Sequence, residues 1–173
     1  FLIDQLTAMM MVVVTFVSLM VHIYTIGYMG HDEENWPKGS LAGTNSYQRF
    51  FSYISLFTFS MLVLVMANNF MQLFFGWEAV GLVSYLLIGF WSVRETAVYA
   101  NLRAFLVNRV GDFGFLLGIA AVLMTFNTLD YSAVFSTAEL SKDLTYSIFP
   151  GTERSMITVI CILLFSGAMG KSA

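Results

Sequence analysis

The 173-residue chain is strongly apolar: hydrophobic residues make up 58% of it, charged residues make up 11%, and its mean hydropathy is +0.75. A soluble domain is about 25% charged, so a soluble globule of this composition would lack the polar side chains to cover its surface. The composition also excludes intrinsic disorder. The single cysteine excludes a disulfide scaffold, and 8 Lys and Arg against 11 Asp and Glu exclude a basic nucleic-acid-binding domain. A polytopic membrane protein is the class that remains.

Five apolar stretches approach the roughly 20 residues that a membrane-spanning helix needs. None of them alternates between polar and apolar residues as a membrane β-strand does. The sequence therefore predicts an all-α fold, a transmembrane bundle of about five helices in a single, incomplete membrane domain over residues 1–173. The expected helices are Leu6–Met29, Phe50–Ala67, Phe70–Trp91, Ala104–Phe126 and Met156–Ala173. Because the last stretch stops within an apolar run, we expect the chain to be a piece of a longer polypeptide.

The connections between these helices differ in length. Asn68-Asn69 leaves almost no loop between the second and third helices, whereas His31–Gln48, Ser92–Arg103 and Asn127–Glu153 are longer polar segments. The first two of these longer segments lie on one side of the membrane and carry more Lys and Arg. The positive-inside rule therefore places that side in the cytoplasm or matrix.

Four ionisable residues lie inside apolar helices, where charge is costly. Glu78 lies about 12 Å along the third helix and Lys171 about 22 Å along the fifth, at 1.5 Å per residue. Arg109 and Asp112 lie in the fourth helix with a spacing that places them on one face, where they can pair. Charges at such depth usually face the bundle interior and mark ion or proton paths. The structural alternative is that each side chain is neutralised by a partner or extends to the membrane surface.

A glutamate and a lysine in an apolar environment suffice for a proton-loading site. Burial lowers the pKa of a lysine, and a nearby carboxylate raises it again, so a carboxylate that approaches and retreats controls proton binding. The other reactive side chains are weaker candidates for proton transfer. We expect His22, near the end of the first helix, to have an interfacial or packing role, and Cys161 to be a core residue. No metal-ligand spacing or phosphate-binding glycine loop is present.

Three strings in the chain carry a resemblance to a known family. They are Gly76–Phe90 (GWEAVGLVSYLLIGF), Asn108–Gly114 (NRVGDFG) and Gly167–Ala173 (GAMGKSA). Together and in this order they resemble the chain 5 family of NADH–ubiquinone oxidoreductase, respiratory complex I. This family is antiporter-like, related to subunits of multisubunit cation/proton antiporters. The resemblance extends over essentially the whole chain and implies that it corresponds to the third to seventh transmembrane helices.

The resemblance implies a role for each of the four ionisable residues. Glu78 would modulate the central protonatable group, Lys171, and Asp112 with its motif partner Arg109 would act in coupling or in contact with neighbouring subunits. No redox cofactor is implied in this chain, since NADH, FMN, iron–sulfur clusters and ubiquinone would belong to other subunits. The expected partners are other membrane-arm subunits, membrane lipids and, if the gene is split, a chain that supplies the missing C-terminal half.

Two functions compete with a proton-translocating complex I subunit. One is a subunit of a stand-alone sodium/proton antiporter, which would use Glu78 and Lys171 in the same way. The other is a structural half-subunit needed only for assembly. The abundance of Phe (17) and Met (11) favours a multi-pass protein of the mitochondrial inner membrane, with the bacterial plasma membrane as the alternative.

Overall fold

The computed structural model describes residues 1–37, 45–138, 145–147 and 153–172. Its helices are α1 (Gln5–Tyr28), α2 (Ser46–Val65), α3 (Phe70–Ile88), α4 (Glu95–Phe126), α5 (Tyr131–Ala138) and α6 (Met156–Ser172), with a 3-10 turn at Asp32–Asn35. The strands β1 (Thr145–Ser147) and β2 (Glu153–Ser155) form a two-stranded sheet. Four of the described helices, α1 to α4, are long and apolar enough to cross a membrane. The prediction of an all-α membrane fold is confirmed.

α1 begins at an N-cap formed by Asp4, whose side chain accepts a hydrogen bond from the Thr7 backbone N–H at 2.7 Å. This cap satisfies one of the backbone donors left open at the start of the helix. The hydrogen bonds from Thr7 hold the pKa of the Asp4 carboxyl below its usual value. The helix then runs for 24 residues, about 36 Å at 1.5 Å per residue, which is enough to cross the hydrocarbon core.

α4 begins earlier than the sequence predicts, at Glu95 rather than Ala104. It is 32 residues long, or about 48 Å, which exceeds the roughly 30 Å of a bilayer core. Hydropathy does not detect these first turns because they carry polar side chains such as Glu95 and Arg103, both of which are exposed. A helix satisfies its backbone hydrogen bonds whatever the side chains are. The expected loop Ser92–Arg103 is therefore largely helical, which corrects that prediction.

The segment after α4 also contains regular structure that the sequence did not predict. Asn127 ends α4 with a φ of 53°, a left-handed conformation that asparagine tolerates better than most residues, and its N–H donates to the Leu123 carbonyl at 2.8 Å. α5 follows. Then β1 pairs antiparallel with β2, with Thr145 opposite Ser155.

Contacts divide the chain into two compact units. Unit 1 comprises residues 1–67 and 75–105, and unit 2 comprises residues 68–74 and 106–173. In unit 1 a buried cluster holds Met29, Trp36 and Phe90. Among the described residues of unit 2, the buried apolar side chains are Phe70, Phe115, Ile119, Val122, Val134 and Ile160. Cys161 is exposed, so its expected core position is wrong: the described residues do not cover that side of α6.

Candidate functional site

Glu78 lies near the middle of α3, in unit 1, and is partly buried. Gly76, one position before Trp77, brings α3 against the backbone of α2. A Cβ atom at Gly76 would lie 2.7 Å from the Cα of Leu64, closer than real Cβ contacts allow. The backbones of α3 and α2 therefore touch within one helical turn of the Glu78 carboxylate. This contact sets the position of Glu78 along the axis of α2.

Arg109 and Asp112 form an ion pair within α4, as their spacing predicted. The Arg109 Nη2 atom lies 3.1 Å from the Asp112 Oδ2 atom. The two ends of the pair differ in environment: the Asp112 side chain is 6% exposed, whereas the Arg109 side chain is 38% exposed. A carboxylate removed from solvent is stabilised by a neighbouring guanidinium, so Arg109 lowers the cost of burying the Asp112 charge.

A row of glycines lets α4 and α6 approach each other closely in unit 2. On α4 the row is Gly111, Gly114 and Gly118, and on α6 it is Gly167 and Gly170. A Cβ atom at Gly170 would lie 2.7 Å from the Gly111 Cα, and one at Gly167 would lie 2.7 Å from the Phe115 Cβ. Small residues allow this kind of backbone approach in membrane helices. The glycines therefore allow the α4 and α6 backbones to touch.

The glycine contact brings together the helices that carry two of the four predicted site residues. Asp112 directly follows Gly111 on α4, and Lys171 directly follows Gly170 on α6, where it is partly buried. Asp112 and Lys171 are therefore each attached next to the point where the α4 and α6 backbones touch. Glu78 belongs to unit 1 and Lys171 to unit 2, so their pairing stays a prediction.

Sequence reasoning missed a hydrogen-bonded cluster between α1 and α2. The His22 Nδ1 atom lies 2.7 Å from the Ser18 carbonyl oxygen, which can only accept, so this nitrogen carries the proton. The Nε2 atom faces the Ser55 hydroxyl at 3.2 Å, and the hydroxyls of Ser18 and Thr58 are 2.6 Å apart. These contacts agree with the packing role expected for His22, since hydroxyl and imidazole groups join membrane helices in this way. The helical spacing of the polar residues would have been the signal.

Sequence reasoning also missed the role of Asp32, which lies in the polar segment His31–Gln48. Asp32 is 3% exposed and accepts hydrogen bonds from the indole N–H groups of Trp36 and Trp91, both at 2.8 Å, and from the Asn35 amide at 3.1 Å. Burial alone would raise the pKa of Asp32, but these hydrogen bonds and one from Ser46 outweigh it and hold the pKa below its usual value. We call these five residues the Asp32 cluster. It ties the turn after α1 to the segment after α3.

The charged groups do not assemble into a metal site in the described ranges. Within residues 1–37, 45–138, 145–147 and 153–172, no three His, Cys, Asp or Glu side chains lie close enough to hold an ion. The chemistry that the four site residues offer is the binding and release of protons by carboxylates and an amine.

Two family models match different parts of the chain. Residues 67–173 match the family described as NADH:quinone oxidoreductase/Mrp antiporter, transmembrane region. Residues 1–51 match the family described as the N-terminus of chain 5 of NADH-ubiquinone oxidoreductase, complex I. The second match agrees with the resemblance that the three sequence strings carry.

Individual relatives support the same assignment. The chain is 66% identical over its whole length to subunit L of NADH-quinone oxidoreductase from Neisseria meningitidis serogroup A. It is 51% identical over 99% of its length to the same subunit from Rickettsia felis, and 49% identical over its whole length to chain 5 of NADH-ubiquinone oxidoreductase from Marchantia polymorpha. The chain spans 24% of the length of each of these relatives. It belongs to the NADH:quinone oxidoreductase/Mrp antiporter family of membrane proteins.

Proposed function

We propose that this chain is part of a proton-translocating membrane-arm subunit of respiratory complex I, coupling oxidation of NADH by a quinone to proton pumping. The observation that carries the proposal is the contact of α4 with α6, which sets a buried carboxylate and a lysine beside one backbone contact. The proposal is also supported by the sequence identity of this chain to proteins named as subunit L and chain 5 of these oxidoreductases.

In this proposal Lys171 is the group that binds and releases the proton, and Glu78 controls it. The contact of Gly76 with Leu64 of α2 limits how α3 can shift, so the position of Glu78 along α2 is fixed. A carboxylate near a lysine favours the charged lysine, and a carboxylate further away favours release of its proton. Movement of charge elsewhere in the complex would drive this alternation.

Asp112 and Arg109 would form the electrostatic control next to the lysine. Their ion pair places a buried negative group on α4 at the level where α6 carries Lys171. If Arg109 turned away from Asp112, for example toward a group of a neighbouring subunit, the electric field at Lys171 would change. A solvent-shielded charge acts over longer distances than an exposed one, because the surrounding dielectric is lower.

The proposal assigns the redox chemistry to other subunits. NADH, FMN, iron–sulfur clusters and ubiquinone would be bound there, and other membrane-arm subunits would be the partners of this chain. Its membrane would be the mitochondrial inner membrane or the bacterial plasma membrane. Polypeptide corresponding to the rest of the relatives' length, in the same chain or in a second one, would complete the proton path.

The test uses the assembled complex in sealed membrane vesicles and measures proton uptake alongside quinone reduction. Lys171→Ala and Glu78→Gln should each lower proton uptake severalfold while the complex still assembles, since each removes one of the two interacting charges. Arg103→Gln is the matched control, because it removes an exposed charge from α4 and should leave both rates unchanged. Normal pumping and normal quinone reduction in the assembled Lys171→Ala and Glu78→Gln complexes would refute the proposal and favour a purely structural subunit.

A cation/proton antiporter is the second candidate, because the matched family includes Mrp antiporters. Glu78 and Lys171 would serve exchange for the same electrostatic reasons. Copurification separates the two candidates: NADH-oxidising subunits that copurify with this chain support complex I. Isolated sodium/proton exchange without such subunits supports the antiporter.

A further inference from the structure

A cleft in unit 1 lies where the ends of three helices meet, and its lining includes none of the four ionisable site residues. It has a volume of about 330 Å³, within the roughly 300–1,000 Å³ of ligand-binding pockets. Arg49 enters it from the first turns of α2, Gly89 and Phe90 directly follow α3, and Asn101 lies in the second turn of α4. Helix ends of membrane-spanning segments lie at the level of lipid headgroups.

The lining of this cleft is both polar and apolar. Its hydroxyl, amide and guanidinium groups belong to Arg49, Tyr53, Tyr85, Ser92 and Asn101. Its apolar side chains are Leu86, Phe90 and Val98. An amphipathic molecule suits such a lining better than a wholly apolar chain or a free metabolite, since both kinds of surface must be covered at once. Tyrosine at this level is also typical of the membrane interface.

Arg49 is held in position by two aromatic rings. Its guanidinium carbon lies 5.0 Å from the centroid of Trp36 and 4.8 Å from the ring centroid of Phe90. The rings hold the planar cation by cation–π attraction and limit its rotamers, so little conformational entropy remains to be lost on binding. Among the described residues that line the cleft, Arg49 is the charged one. A fixed guanidinium is the group best suited to grip a phosphate through two parallel hydrogen bonds.

Asn101 provides a second polar anchor in the cleft. Its Oδ1 atom is buried without a hydrogen-bond partner in the described part of the chain. Its Nδ2 atom lies directly against Gly89, where any Cβ atom would collide with it. Because Gly89 has no side chain, the Asn101 amide has room to lie in the wall of the cleft. A buried amide oxygen left unpaired is a position at which a ligand or an ordered water usually binds.

We propose that this cleft binds the phosphodiester group of a membrane phospholipid, with Arg49 gripping the phosphate and Tyr53, Tyr85 and Asn101 bonding the remaining headgroup oxygens and donors. The acyl chains would leave the cleft over Leu86 and Val98 toward the hydrocarbon. The bound lipid would join the ends of α2, α3 and α4 within unit 1. This site does not depend on the proton-translocating function.

The test uses the assembled complex in nanodiscs that contain a phospholipid with a photoreactive group next to its phosphate. Irradiation should label the peptides that carry residues 49–53 and 85–92 in the wild type. Arg49→Gln should lower this labelling by about tenfold or more, the factor expected for losing a charge-assisted hydrogen bond. Arg94→Gln is the matched control, because Arg94 is exposed, bonds to Asn35 and does not line the cleft.

A second pair of variants keeps the test decisive if Arg49→Gln does not fold. Val98→Trp should fill the cleft and abolish labelling, whereas Tyr99→Trp, one residue away and outside the lining, should not. Full labelling in both Arg49→Gln and Val98→Trp would overturn the proposal. So would displacement of the label by inorganic phosphate, which would assign the cleft to free phosphate.

Discussion

Trp91→Phe tests whether the Asp32 cluster fastens the turn after α1. The substitution keeps an aromatic ring but removes the indole N–H that donates to the Asp32 Oδ1 atom at 2.8 Å. A hydrogen bond to a charged group contributes about 1.5–3 kcal/mol. Trp91 is only partly buried, so the lower end of that range applies. A loss of about 1.5 kcal/mol corresponds to roughly tenfold more frequent local opening.

Hydrogen exchange measured by mass spectrometry on the assembled protein reads this opening directly. The peptide covering residues 29–37 should exchange about tenfold faster in Trp91→Phe, while the α5 peptide, in unit 2, should not change. Asp32→Asn supplies the second arm of a double-mutant cycle, since Trp91→Phe should cost much less when the carboxylate is already absent. Equal effects of Trp91→Phe in the wild-type and Asp32→Asn backgrounds, or exchange within twofold of wild type, would refute the reasoning.

Two further outcomes follow from the glycine row and from the titration of Asp32. Gly111→Ala places a Cβ atom 2.9 Å from the Gly170 Cα, so overpacking should cost about 1–3 kcal/mol in thermal or denaturant unfolding. Gly27→Ala, which meets nothing within 4 Å, should be neutral or slightly stabilising, and equal loss in both variants would contradict the packing. Because the folded pKa of Asp32 lies below 3.8, its contribution to stability should be complete above pH 3.8 and disappear as pH falls through the folded pKa. Exchange of residues 29–37 measured down that range should show this loss in the wild type and no such step in Asp32→Asn.

The sequence predicted most of what depends on hydropathy and on local spacing. The apolar stretches marked the spanning helices, and the spacing of Arg109 and Asp112 predicted their ion pair because residues three apart share a helix face. Glycines spaced along an apolar helix permit close packing, but the spacing on α4 and α6 does not say which residues touch. Local patterns report on a single element and its neighbouring turns.

Other features could not be predicted, because they depend on residues distant in the chain. Asp32 and Trp91 are 59 residues apart, and nothing in the polar loop signalled that its carboxylate would be buried under two indoles. The early start of α4 at Glu95 escaped notice because a polar helix beyond the hydrocarbon has no hydropathy signal. The short pairing of Thr145 with Ser155 is equally weak in sequence, since three-residue strands carry no measurable alternation.

The contact between Gly111 and Gly170 has a mechanical consequence. Elsewhere in a protein, side chains between two helices can change rotamer and absorb a small displacement of one helix before the other responds. Here the nearest atoms belong to the backbones, which have no rotamers and cannot yield in this way. A displacement of α4 toward α6 at Gly111, beside Asp112, therefore pushes directly on the α6 backbone at Gly170, beside Lys171. The contact beside Asp112 and Lys171 resists compression, which makes this point of the membrane domain suited to transmitting motion as well as charge.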